Sequence, residues 1–239
     1  MRLDKYLSYA LNLTRSDTIF FMKKNDIYVN DKIVKKKDFK IDENIDVVKV
    51  NGEIVEYKRF VYYMLNKPSG LVCSKKGFTN NTIYDLFKDI KYDVSSVGRL
   101  DKDTEGLLII TNDGALNHFI TSPNNHVDKK YYVEIDNPLT SCQMEEFEKG
   151  ILIKDGDMED FVTRSAKIEK IDECKYYVTI SEGKFHQIKR MFKYFDKDVL
   201  YLKRVQMGKI ILDESLKAGE YRPLTKEEIE ILKNEYNKE

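Results

Sequence analysis

The sequence predicts an α+β fold in two parts, a small helix-plus-strand module over residues 1–56 and a mixed or antiparallel sheet domain over residues 57–239. Residues 3–10 place apolar side chains at helical spacing, and residues 27–50 then alternate as short strands. The chain changes character around Asn51-Gly52-Glu53, and from residue 61 onward strand-like apolar runs interleave with short helices.

Leu3, Tyr6, Leu7 and Ala10 recur at i, i+3, i+4 and i+7, which gives the first helix one apolar face. Thr14 suits the N-cap of a second helix that runs to Lys24, with Ile19, Phe20 and Met22 expected inward. Residues 27–29, the turn Asn30-Asp31 and residues 45–50 read as strands, and residues 57–59 as a linker. Residues 61–66 form the next strand, which Lys67-Pro68-Ser69-Gly70 turns and residues 71–74 resume. A short helix over 83–87, a strand over 107–111, a helix over 115–121, a strand over 130–136 and a helix over 143–149 follow. Residues 176–181 make a strand that enters a helix near Phe185, where Ile188, Met191, Phe192 and Phe195 form the buried stripe and leave Lys189, Arg190 and Lys193 off it. Residues 199–212 read mostly as strand, and residues 225–238 as a terminal helix with Ile229, Leu232 and Tyr236 inward.

Composition narrows the function classes. No stretch approaches the roughly 20 apolar residues of a membrane span, and the start MRLDKYLSYALNL is amphipathic with Asp4 inside it, unlike a signal peptide, so a cytoplasmic location is expected. Cys73, Cys142 and Cys174 lack CxxC spacing, and His118, His126 and His186 lack metal-ligand spacing, so neither a disulfide framework nor a metal is expected. The formal net charge of +0 excludes a uniformly basic coat, but lysines cluster at 35–37, 75–76, 129–130 and 184–193, and such patches can bind RNA without a basic total. Only eight basic residues are arginine, and Arg2, Arg15, Arg99, Arg190, Arg204 and Arg222 fall in or beside motif-like segments. Their planar forks make contacts that lysine cannot copy.

The run Gly98-Arg99-Leu100-Asp101, continuing as KDTEGLLIITNDG, sets one carboxylate in a short polar loop against an apolar strand. Glycines at 98 and 106 free the backbone on both sides. The loop alone leaves two readings of Asp101 open, a turn cap or a reactive acid.

Two resemblances bear on that choice. MRLDKYLSYALNLTRSD followed by IYVNDKIVKKKDFKIDENIDVVKV resembles the S4 RNA-binding domain, with Arg2, Lys5, Arg15 and Ser16 on its basic helix face; Asn25-Asp26 stands where that family usually has glycine. Gly98-Arg99-Leu100-Asp101, Lys129-Lys130-Tyr131-Tyr132-Val133 and EGKFHQIKRM from Glu182 to Met191 together look like the RsuA/RluB branch of the pseudouridine synthases. LNKPSGLVCS, HFITSPNNH and AGEYRPLTKEEI extend the likeness over nearly all of residues 60–230, and ITSPNNH with EGKFHQIKRMF inclines it toward the RsuA type.

That resemblance implies an enzyme without a cofactor that cleaves a uridine's N-glycosidic bond, turns the flipped base and rejoins it to the sugar through carbon. Asp101 is then the carboxylate, either a nucleophile on the sugar or a base that starts elimination. Lys189 offsets the desolvation of that acid, although by itself it reads as an exposed helix lysine. Only one of Tyr131 and Tyr132 can face the site on a strand, and the motif selects Tyr131 for stacking and for assisting deprotonation. Leu202 packs near the base or is a simple core leucine, and Arg99 contacts phosphate or braces its loop. The implied partner is rRNA, a single uridine of 16S rRNA met on free RNA or a pre-ribosomal particle, acted on by a monomer. A large-subunit 23S synthase and a non-catalytic RNA-binding assembly factor are the alternatives.

Overall fold

The computed structural model describes residues 1–11, 13–43, 45–75, 81–153 and 160–236, with side chains described up to residue 234. The chain divides into two compact units, Met1–Phe60 and Val61–Glu239.

The first unit contains α1 (Leu3–Ala10), α2 (Arg15–Lys24), β1 (Ile27–Val29), β2 (Lys32–Ile33), β3 (Val48–Val50) and β4 (Glu53–Ile54). The strands form an antiparallel sheet in the order β2-β1-β3-β4. The apolar face of α1 is buried with Ile27, Val29, Val48 and Val50 in one core, and the Thr14 side chain caps α2 by accepting from the Asp17 amide at 3.2 Å. Two expectations are corrected. Thr18 and Met22, one turn apart, are the buried residues of α2, whereas Phe20 is 60 % exposed with the Lys24 ammonium 4.3 Å from its ring centre. The strand expected over 45–50 begins only at Val48, because the Asn30 side chain takes the Val47 amide at 3.0 Å and leaves Ile45 exposed in a turn.

The second unit runs β5 (Tyr62–Lys67), β6 (Ser95–Ser96), β7 (Glu105–Thr111), α3 (Gly114–Thr121), β8 (Lys129–Ile135), α4 (Ser141–Lys149), β9 (Leu152–Ile153), β10 (Phe161–Val162), β11 (Lys167–Asp172), β12 (Lys175–Ile180), α5 (Gln187–Lys193), β13 (Val199–Met207), β14 (Ile210–Ile211), β15 (Tyr221–Pro223) and α6 (Lys226–Tyr236). Its main sheet has the order β11-β12-β8-β13-β7-β5-β15, with β14 on β13 and β6 on β7. Neighbours in that order are antiparallel except β7 and β13, which makes the sheet mixed. The continuous apolar run of β7 follows from burial on both faces: Leu108 and Ile110 enter one core, Leu107 and Ile109 the other.

Residues 71–74 do not resume a strand. Val72 makes one isolated bridge to Thr82, while the Gly70 amide donates to the Lys102 carbonyl at 2.7 Å and ties this segment to the loop before β7. The expected strand over 199–212 is broken at Gly208, which has a φ of +54°. Helix α5 starts later than expected, since His186 adopts a left-handed φ of +49° just ahead of Gln187. In α6, Leu232 is buried and Ile229 packs against the same core; the side chain of Tyr236 lies outside the described residues.

Gly106 makes the parallel pairing possible. It lies opposite Arg204 with a φ of +98°, and a Cβ there would meet the Arg204 carbonyl oxygen at 2.3 Å. Gly106→Ala should therefore lower unfolding stability by about 3 kcal/mol, combining left-handed strain with overpacking. Urea unfolding measures this, and a loss below about 1 kcal/mol would mean that β13 shifts without cost.

Candidate active site

The Asp101 loop is organised from below by a buried cation. Lys67, at the end of β5, is fully buried, and its ammonium donates to the carbonyls of Pro68, Asp101, Lys102 and Thr104 at 3.1, 3.0, 3.2 and 2.9 Å. These carbonyls replace its water, so the charge can be buried without a carboxylate in direct contact. Burial still pulls the Lys67 pKa below its ordinary value, opposed in part by Cys73, Asp103, Glu105 and Asp101. Cys73 adds a second tie, its thiol 3.4 Å from the Leu100 carbonyl. With the backbone held this way, the Asp101 side chain is left 27 % exposed, facing α5.

Two basic side chains of the α5 segment face that carboxylate. His186 Nε2 is 3.5 Å from Asp101 Oδ1, and Lys189 Nζ is 3.9 Å from Oδ2. Lys189 bonds more tightly to Asp103, donating to its two oxygens at 2.5 and 2.7 Å. The hydrogen bond from Lys189 is the main reason Asp103 titrates below its ordinary value.

Strand alternation separates the two tyrosines. Tyr131 is buried on the face that carries Asp101, while the Tyr132 hydroxyl donates to Glu134 on the other face and its ring meets Tyr177 and Tyr201 edge-on. Asp101, Tyr131, Lys189, Arg99 and Leu202 all line one small cavity of about 70 Å³, together with Ile180. Thus five residues singled out in the sequence converge. A wider cavity of about 390 Å³ shares Arg99, Asp101 and Tyr131 and extends to Lys129, Glu182 and Arg204.

The remaining candidates lie in the first unit. Arg2, Lys5 and Arg15 line a surface hollow of about 290 Å³ with Tyr9 and Thr18. Arg2 is forked onto Asp4 at 3.0 and 2.5 Å, which raises its pKa further. Ser16 does not line this hollow; its hydroxyl lies 3.0 Å from that of Thr14.

Sequence reasoning missed Lys67, Asp103, Lys129 and Arg204 as site residues. The signal for Arg204 was available: it sits within the apolar strand β13, where an inward arginine demands a polar partner. Its Nε donates to the Leu107 carbonyl at 2.8 Å. Among the described residues there is no cluster of His, Cys, Asp and Glu that could hold a metal. The arrangement offers a carboxylate faced by Lys189 and His186, an aromatic ring for a planar base and further Lys and Arg side chains in the cavity lining, a set suited to chemistry on a nucleoside.

The Lys189–Asp103 contact has a pH signature. A carboxylate with a depressed pKa contributes stability above its unfolded pKa, near 3.8, and loses it as pH falls through the folded value. In an NMR titration, Asp103 should titrate below 3.8 in the wild type and move back up toward it in Lys189→Met. An unchanged titration would show that Lys189 is not bound there in solution.

Comparison with known proteins shows the family. Residues 61–194 match the family described as RNA pseudouridylate synthase. The ribosomal small subunit pseudouridine synthase A of Haemophilus influenzae is 39 % identical over 233 residues, covering 97 % of this chain and 99 % of that protein. Its Escherichia coli K12 namesake is 38 % identical over 230 residues, covering 96 % and 98 %. A solved structure titled as a pseudouridylate synthase superposes with a TM-score of 0.68 at 39 % identity, over 97 % of this chain and 99 % of the other. Family match, near full-length relatives and shared fold agree, and the chain belongs to the RNA pseudouridine synthases of the RsuA/RluB type.

Proposed function

We propose that the chain isomerises a single uridine of 16S rRNA, with Asp101 as the catalytic carboxylate. The observation that carries this is the convergence of Asp101, Tyr131, Lys189 and Leu202 on one cavity, supported for the substrate by small-subunit relatives that match along nearly their whole length. The helix face with Arg2, Lys5 and Arg15 serves as an RNA-binding surface of the S4 type.

The target uridine leaves the RNA stack and lays its ring on Tyr131, with Leu202 beside it and Arg99 holding the strand from which it came. Asp101 then either bonds to C1′ as N1 departs or removes the C2′ proton to expel the base. The free uracil anion turns and C5 bonds to C1′, either as the Asp101–C1′ bond breaks or as Asp101 returns its proton to C2′; the C5 proton is then lost and N1 gains one, so atoms balance without a cofactor. The Tyr131 hydroxyl assists the last deprotonation. Lys189, shared between Asp103 and Asp101, sets a positive charge beside the reacting carboxylate.

Unmodified 16S and 23S rRNA, incubated with the protein and mapped for pseudouridine, test this reading. Product is expected at one uridine of 16S rRNA and at none with Asp101→Asn. Product confined to 23S rRNA would contradict the small-subunit assignment, and activity surviving in Asp101→Asn would contradict the role of that residue. Lys189→Met should lower kcat at least tenfold while changing RNA affinity less than threefold; equal losses would make Lys189 a phosphate contact instead.

A further inference from the structure

The wider cavity beside Asp101 holds more positive charge than its own carboxylates engage. Arg204 is 3 % exposed and lines this cavity, and its Nη2 is buried without a hydrogen-bond partner among the described residues. Lys129, half-buried on β8, lines the same cavity two residues before Tyr131, and its ammonium has no hydrogen-bond or ion-pair partner among the described residues. Strand alternation puts Lys129 and Tyr131 on one face, and cross-strand register sets Arg204 directly opposite Tyr131.

The nearby carboxylates are otherwise occupied. Glu182 accepts from the Arg164 amide at 2.9 Å and from Gln187 Nε2 at 2.7 Å, and Asp101 faces His186 and Lys189. Burial and the adjacent Arg204 push the Lys129 pKa down to about 8, against the opposing pull of Asp128 and Glu182. Arg99 and Lys184 add further cations to the rim. A buried guanidinium edge without an acceptor is costly, and the cost is removed when a ligand supplies an anionic oxygen.

We propose that Lys129 and Arg204 form a phosphodiester-binding subsite that seats a phosphate flanking the flipped uridine and so fixes its sugar over Asp101. A phosphodiester fits better than the uracil ring, because it carries a permanent negative charge and several acceptor oxygens, whereas the base is neutral and suits the apolar lining of Tyr131, Leu202 and Ile180 in the smaller cavity. The assignment rests on the reading of Asp101 and Tyr131 given above. It makes Lys129 and Arg204 substrate-positioning residues.

The test uses the full chain and synthetic RNA stem-loops containing the mapped uridine, each with one flanking phosphate replaced by an uncharged methylphosphonate. At one of the two flanking positions, neutralisation should raise KM at least tenfold for the wild-type protein but less than twofold for Lys129→Met. The salt dependence of RNA binding should also fall in Lys129→Met by the slope of about one phosphate contact, roughly 0.7 to 0.9. Arg204→Lys keeps the charge without the fork and avoids emptying the core; it should leave thermal unfolding near wild type, raise KM for the all-phosphate RNA and shrink the penalty of the neutral replacement at the same position. Indifference of the wild-type protein to both neutral replacements would overturn the subsite, as would a KM penalty in Lys129→Met equal to that of the wild type. If the all-phosphate RNA is not modified at all, the earlier reading of Asp101 fails and takes this one with it.

Discussion

One buried ammonium governs the geometry of the site. Lys67 gathers the carbonyls of Pro68, Asp101, Lys102 and Thr104 around a single charge, so the loop before β7 is wrapped on a fixed point. The backbone of Asp101 is held by its own carbonyl, which leaves the carboxylate free to face α5. The next constraint along the chain is Gly106, whose missing side chain lets β13 lie parallel to β7 and sets Arg204 opposite Tyr131. Each catalytic candidate of the second unit is thereby carried on, or tied to, the central strands of one sheet. Rigid elements of this kind hold a reacting geometry better than free loops do.

Electrostatics then divides the site. The two cavities share Arg99, Asp101, Tyr131 and Lys184, but the aliphatic walls of Leu202 and Ile180 belong to the smaller one alone, and Lys129 and Arg204 to the wider one alone. A nucleotide has the same division, a planar neutral base on one side of the sugar and a charged phosphate on the other. Asp103 adds a second carboxylate that takes most of the Lys189 contact in this state. The same lysine thus lies within reach of two acids.

Much of this was legible in the sequence where periodicity or a contiguous motif carried the information. The helical face of Leu3, Tyr6, Leu7 and Ala10 is buried as read, and alternation on β8 separates Tyr131 from Tyr132. What escaped depends on contacts distant in sequence. Lys67 looked like a turn residue because nothing local reveals that Asp101 and Thr104 will supply its acceptors. Residues 71–74 look like strand, but the Val72 backbone bonds the segment at 81–83, and the Gly70 amide just before them bonds the Lys102 carbonyl instead. Phe20 differs for the opposite reason: its apolar character suggests burial, although single exposed apolar side chains are ordinary on protein surfaces. Arg204 stands out in the sequence as an arginine in a motif-like segment, yet its place opposite Tyr131 follows only from the β13 register.

The central claim is that Asp101 and Tyr131 receive a uridine taken out of its RNA. The most direct measurement is a crystal structure of Asp101→Asn bound to an RNA stem-loop that carries the modified position. The account predicts the uridine ring lying on Tyr131 with Leu202 beside it, and the sugar C1′ about 3 to 3.5 Å from the side chain at position 101. A uridine still stacked within the RNA, or a base seated away from Tyr131 and position 101, would contradict it.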